Sequence, residues 1–293
     1  MAASGSIIWP SANNPIWKLN YHLADGPDEE GIVIRDAYFR NRKVFYKASL
    51  PSLLVQYVAG GGPYKDPLNF NNAVQTAQSG PDRVHIYTYQ SNGIWGLAIE
   101  SYHTIGKYRL THRWIFWENG IISPRLYSAG LQHPYDHRHH AYWRFDFDIE
   151  GSGNDLALEF NSYTGNQGWG RGWHPKTKEW KRLKNPSSSR RWAILDKSSG
   201  RGYQLLPGPH DGVADSFSNG DFWVLRYHGS EDKNGRQGSR WSDDLAPYVN
   251  GEDIDGTDVV LWYCGHLFHK ADGHHDGDEW HHVGPNLFPF GDW

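Results

Sequence analysis

The feature that most restricts this chain is its punctuation. About a dozen short runs, rich in β-branched and aromatic residues or alternating with a period of two, are each bounded by Gly, Pro, Asn or Asp. They fall at 32–39, 44–47, 53–58, 84–89, 97–102, 110–117, 142–149, 156–160, 192–195, 222–227 and 259–263. No convincing stretch of helical period stands between them. With 33 Gly and 16 Pro in 293 residues, long helices are disfavoured and an all-β sandwich or barrel is expected. All-β domains of this length commonly form one unit, so residues 1–293 are read as a single domain. Within it, 1–27 reads as an N-terminal extension and 164–189, with its Gly-Trp-Gly-Arg-Gly-Trp and basic Ser-rich run, as a long loop or arm.

The core of such a sandwich must come largely from rings, since there are 15 Trp, 17 Tyr and 12 Phe against a single Met. The formal charge of -4 provides no basic excess with which to hold a phosphate backbone, so nucleic acid is not expected as a partner. No 18-residue apolar run occurs, and 1–10 lacks the charged and apolar blocks of a secretory signal. The chain therefore reads as cytoplasmic, with no membrane partner.

One cysteine, Cys264, is read as excluding an internal disulfide framework and any Cys-based zinc site within one chain. A bound metal is therefore expected to be held by histidine, of which there are 17. His137-Arg138-His139-His140 opens onto a strand, where residues two apart share a face, so His137 and His139 can present two imidazoles to one ion. A second group, His266 and His269, ends the 259–263 run, followed by His274, His275, His281 and His282, which read as a polar tail. Imidazole suits zinc, copper, nickel and iron alike, and composition does not choose among them.

Several ordered segments carry a resemblance. Thr104-Ile-Gly-Lys107-Tyr108-Arg109, running on to Trp117-Glu-Asn-Gly120, resembles the strand pair of copper amine oxidases that carries an Asn-Tyr-Asp/Glu motif. His137-Arg-His139 and the following Arg144-Phe-Asp146 resemble that family's His-Gln-His strand, which continues to Arg-Leu-Asp. The stretch from Asp258 through Trp262 and His269 to Asp278-Glu-Trp280 is similar to the strand of the third copper histidine and its Glu-Asp-Trp motif. Tyr46-Lys-Ala-Ser-Leu-Pro leading to Tyr57 resembles the start of the same catalytic domain, and the match is colinear from about Gly31 onward.

The resemblance implies a large antiparallel β-sandwich like the copper amine oxidase catalytic domain, without the family's small N-terminal domains. It implies His137, His139 and His269 as copper ligands, Tyr108 as the tyrosine converted to topaquinone, and Tyr57 as its hydrogen-bonding partner. Asp66 in Tyr64-Lys-Asp-Pro is the candidate catalytic base, and Asp146 and Asp258 fall where the family places a peripheral calcium-type site. The implied reaction is oxidative deamination of a primary amine with O2 to aldehyde, ammonia and hydrogen peroxide, by a homodimer. Lys107 and Arg109 replace the family's Asn and acid beside Tyr108. That departure sustains two alternatives: a copper-dependent oxidase or oxygenase acting on an amine or aromatic small molecule with Tyr108 unmodified, and a non-catalytic copper-binding protein.

Overall fold

A computed structural model describes residues 3–25, 30–57, 62, 64–162, 171–231, 245–271 and 281–293. The described chain is all-β and antiparallel, as expected. A nine-stranded sheet runs from β1 (Ser4–Ser11) through β2 (Asn14–Leu23), β3 (Ile32–Phe39), β4 (Arg42–Tyr57), β10 (His137–Phe147), β17 (Val259–His269) and β16 (Phe222–Arg226) to β13 (Trp180–Arg182), with β5 (Tyr64–Lys65) paired to β4. Facing it are two five-stranded sheets. One is ordered β12 (Gly172–Lys176), β11 (Asp155–Asn161), β14 (Arg191–Asp196), β15 (Gly202–Leu206), β19 (Asn286–Phe290). The other is β18 (His281–Val283), β9 (Arg125–Ala129), β8 (Tyr108–Trp117), β7 (Ile94–Ile105), β6 (His85–Ser91). Bridges from Ile122 to Phe116 and to Leu287 join these two into one layer.

Rings fill the space between the layers. Trp17 lies 4.9 Å from Phe39 and 5.1 Å from Phe116, and its indole N–H donates to the Trp117 carbonyl across the sandwich. Trp114 donates likewise to Ile32 and meets Phe145 edge-on. Each such ring removed from water stabilises the fold by about 1.5–3 kcal/mol, and its N–H is satisfied, so neither half of the indole opposes burial.

Three expectations of organisation are corrected. Within 1–27, the described residues 3–25 are no extension: β1 and β2 are the first strands of the large sheet, because Trp17 is wholly buried and anchors the hairpin to the core. Within 164–189, residues 164–170 lie outside the described residues, while 171–189 holds β12 and β13 rather than a loop. Trp173 packs against Phe160 and Phe290, and Trp180 against Phe222, which fixes both strands. His281 and His282, read as tail, form β18 against β9. His274, His275 and Asp278-Glu-Trp280 lie outside the described residues. No helix among the described residues is long and apolar enough to cross a membrane.

The large sheet is buried on both faces along β10 and β17. Its inner face joins the sandwich core; its outer face carries a second apolar cluster of Leu54, Tyr142, Trp223, Val260 and Trp262. This double burial is why β10 and β17 lack polar alternation in sequence.

Candidate metal centre

Three neighbouring strands end together. The register sets His137 of β10 opposite His269 of β17 on one side and opposite Tyr57 of β4 on the other. Because side chains alternate along a strand, His139 shares the inner face with His137 while His140 turns to the outer face. From the facing layer, β7 and β8 close in a two-residue turn, Gly106-Lys107, that sets Tyr108 opposite Ile105. Gly106 has φ 58, which such a turn requires at its first position. Behind it, Gly130 (φ 81) brings its backbone so near that a Cβ would lie 2.2 Å from the Lys107 carbonyl oxygen. Tyr108 is thereby held against the histidines from the opposite sheet.

The imidazoles of His137, His139 and His269 each offer a ligand nitrogen, all within 4.8 Å of one another, and each residue is at most 1% exposed. The His137 Nδ1–H donates to the Tyr135 carbonyl at 3.0 Å, leaving the Nε2 lone pair directed at the site. Burial and the adjacent His139 push the His137 pKa down to about 3, so the ring is neutral and able to ligate. Both nitrogens of His139 are buried without a hydrogen bond. An imidazole left in that condition costs roughly 1–3 kcal/mol unless something else occupies its lone pair. Three converging imidazoles, one of them with unsatisfied nitrogens, fit a late first-row metal such as copper.

The phenols complete the centre. The hydroxyls of Tyr108 and Tyr57 are 2.6 Å apart, and Tyr108 Oη is 3.1 Å from His137 Nε2. Burial, followed by the hydrogen bond with Tyr57, holds the Tyr108 phenol far above its ordinary value. Asp66 Oδ2 lies 3.4 Å from His139 Nδ1, and a cavity of about 220 Å³ is lined by Asp66, Tyr57, Tyr64, Tyr108, Gln132 and His133. The Lys107 side chain is exposed in the turn, and alternation turns Arg109 to the other face of β8, near Tyr102, whose phenol is pushed up by burial with Arg109 opposing the rise. Neither cation sits beside the Tyr108 hydroxyl.

Asp146 and Asp258 lie apart from the histidines. Asp146 pairs with Arg144 at 3.1 Å, and neither carboxylate belongs to a converging group of metal-type ligands among the described residues. Sequence reasoning passed over His133, whose ring stands edge-on to Tyr57 at 5.0 Å, and Gln132, which accepts the Lys107 N–H. No motif marks either; they reach the site through the loop joining β9 to β10.

No family model and no curated protein matches the sequence. Solved structures do. A copper-containing benzylamine oxidase from Hansenula polymorpha superposes with a TM-score of 0.73 at 15% identity, covering 94% of this chain and 58% of its own. The fold is that of the copper amine oxidases. A lysyl oxidase from Pichia pastoris gives 0.73 at 14% identity, and an amine oxidase from Aspergillus nidulans 0.66 at 17%, each with 94% of this chain and 51% of theirs covered. At such identities the likeness is one of fold, and this chain spans between 51 and 58% of the length of those proteins.

Proposed function

We propose that this chain is a copper-dependent oxidase in which His137, His139 and His269 hold copper and Tyr108 gives rise to a quinone cofactor, oxidising a primary amine with O2 and water to aldehyde, ammonia and hydrogen peroxide. The observation carrying this reading is the placement of one buried phenol, Tyr108, within 2.6 Å of a second phenol and 3.1 Å of an imidazole of the three-histidine group. Copper supplies one-electron chemistry with O2, and the quinone supplies an electrophilic carbonyl that withdraws electrons from the substrate.

The protein's own groups have definable tasks. Tyr57 holds the oxygen at position 108 by hydrogen bond, fixing the ring against rotation. Asp66, on the cavity wall next to Tyr108, is placed to take the proton from the carbon bearing the amine. Tyr135, through its carbonyl, fixes the His137 tautomer. The aromatic wall of Tyr57 and Tyr64 limits water at the reacting carbon and favours a substrate with an apolar or aromatic body.

The test is peroxide release by copper-loaded, air-equilibrated protein given benzylamine and other primary amines. Copper-dependent release that phenylhydrazine blocks is expected. Copper-dependent release that phenylhydrazine leaves unchanged would instead favour an oxidase with Tyr108 unmodified. Absence of oxygen uptake with any amine or aromatic substrate, at full copper content, would remove the oxidase reading.

A further inference from the structure

The outer face of β10 and β17 carries a second convergence. The register pairs His140 directly with His266, and Cys264, two residues before His266, projects from the same face. Nδ1 of His140 lies 2.8 Å from Nδ1 of His266, and Cys264 Sγ lies 3.8 Å from the latter. The three ligand atoms fall within 4.8 Å of one another, and all three residues are 0% exposed.

Tautomer accounting sharpens this. Asp221 Oδ1 lies 3.0 Å from His266 Nε2, and Asp221 is itself held by Lys184, whose Nζ is 3.2 Å away and whose backbone N–H donates at 2.8 Å. The contact lies off hydrogen-bond geometry, but a carboxylate at that distance favours the proton on His266 Nε2 through its charge and leaves the lone pair on Nδ1. That lone pair faces a second Nδ1, so either a proton or a cation has to stand between them. If the proton stands there, His140 Nε2 is left without a hydrogen bond, with Asp215 no nearer than 3.8 Å. A cation between the two Nδ1 atoms frees His140 to carry its proton on Nε2, facing Asp215.

We propose that His140, Cys264 and His266 form a second metal centre, distinct from the three-histidine group and on the opposite face of the same strands, that binds a thiophilic d10 ion, zinc or copper(I). Two imidazoles and one thiolate suit such an ion, whose N and S ligands stand at about 2.0–2.1 and 2.3 Å from it. Closing on it requires the two Nδ1 atoms to part by roughly half an ångström. Binding releases one proton to water, that of the Cys264 thiol, while the proton shared between the Nδ1 atoms gives way to one on His140 Nε2. A cavity of about 300 Å³ is lined by His266 together with His210, His281 and His282.

The experiment loads the full chain with zinc alone and, separately and without air, with copper(I) alone, then measures metal per chain and metal X-ray absorption. Two equivalents per chain and a metal–sulfur distance of about 2.3 Å are expected, with Cys264→Ser losing the sulfur scattering and one equivalent while keeping the other. Because Cys264 is the single cysteine, thiolate scattering in the unmodified protein decides the matter even if the variant fails to fold. Absence of sulfur scattering with both ions, or an unchanged metal count in a folded Cys264→Ser protein, would overturn the second centre. Loss of the three-histidine site alone would leave one sulfur-ligated equivalent, so the two centres fail separately.

Discussion

The hydroxyls of Tyr57 and Tyr108 stand 2.6 Å apart, although their strands belong to opposite sheets of the sandwich. A bond that short between two buried phenols fixes which way the Tyr108 ring can face. Tyr57→Phe keeps the ring and removes the bond. Copper content is expected to remain whole while amine turnover falls about tenfold to a hundredfold, the worth of one strong hydrogen bond in a buried site. Steady-state kinetics beside metal analysis checks this, and unchanged turnover would detach Tyr57 from the chemistry.

His139 has two buried nitrogens without hydrogen bonds, which makes it the ligand whose removal is most informative. His139→Ala takes away a group that the empty fold leaves unsatisfied. The expected result is loss of copper from the three-histidine site with little loss of thermal stability in the metal-free protein. Retention of that copper would remove the ligand assignment.

Asp66 lies both on the cavity wall and 3.4 Å from His139 Nδ1, and the two positions suggest different tasks. If Asp66 is the base, Asp66→Asn lowers turnover by about 10² to 10⁴ and leaves copper affinity nearly intact. If it only orients His139, copper affinity falls by about 10- to 100-fold and turnover recovers at saturating copper. The base reading predicts the first pattern, and a copper titration run beside the rate measurement separates them.

Legibility in the sequence varied with burial. The all-β class and the runs behind β3, β8, β11 and β16 could be read because turn residues bracket them. β1 and β2 could not, since Ser, Asn and Lys dilute their pattern and Trp17 anchors them by contact with β3 and β8, a long-range fact. The grouping of His137, His139, His269, Tyr108, Tyr57 and Asp66 followed from resemblance, and the structure brings those six together. Spacing alone reached only His137 and His139. The pairing of His140 with Cys264 and His266 escaped notice because it depends on cross-strand register between segments about 120 residues apart, which no local pattern records.

A cluster of carboxylates near the far end of β10 sets a pH dependence. Burial, reinforced by Asp258, Asp146 and Asp148, pushes Asp155 up to about 8 from an ordinary 3.8, against the lowering effect of the Val259 N–H; burial with Asp146 and Asp148 pushes Asp258 up to about 7. Between the ordinary value and these raised ones, the native state holds protons that the unfolded chain has released. Unfolding free energy therefore falls as pH rises through that window. Buried neutral histidines act in the opposite sense below about pH 6.5, so the carboxylate effect stands clear above it. The thermal midpoint is expected to drop by a few degrees between pH 6.5 and 8.5 in the intact protein, and Asp155→Asn should flatten that slope. A slope identical in both proteins would contradict the assignment.

The central claim concerns what becomes of Tyr108. Metal-free protein loaded with copper in air, then digested, allows the peptide carrying Tyr108 to be weighed beside the same peptide from protein loaded without oxygen. A visible absorption band, and a mass gain on that peptide appearing only with both copper and O2 and shifting further on phenylhydrazine treatment, are predicted. An unmodified Tyr108 at full copper occupancy in air would contradict the claim.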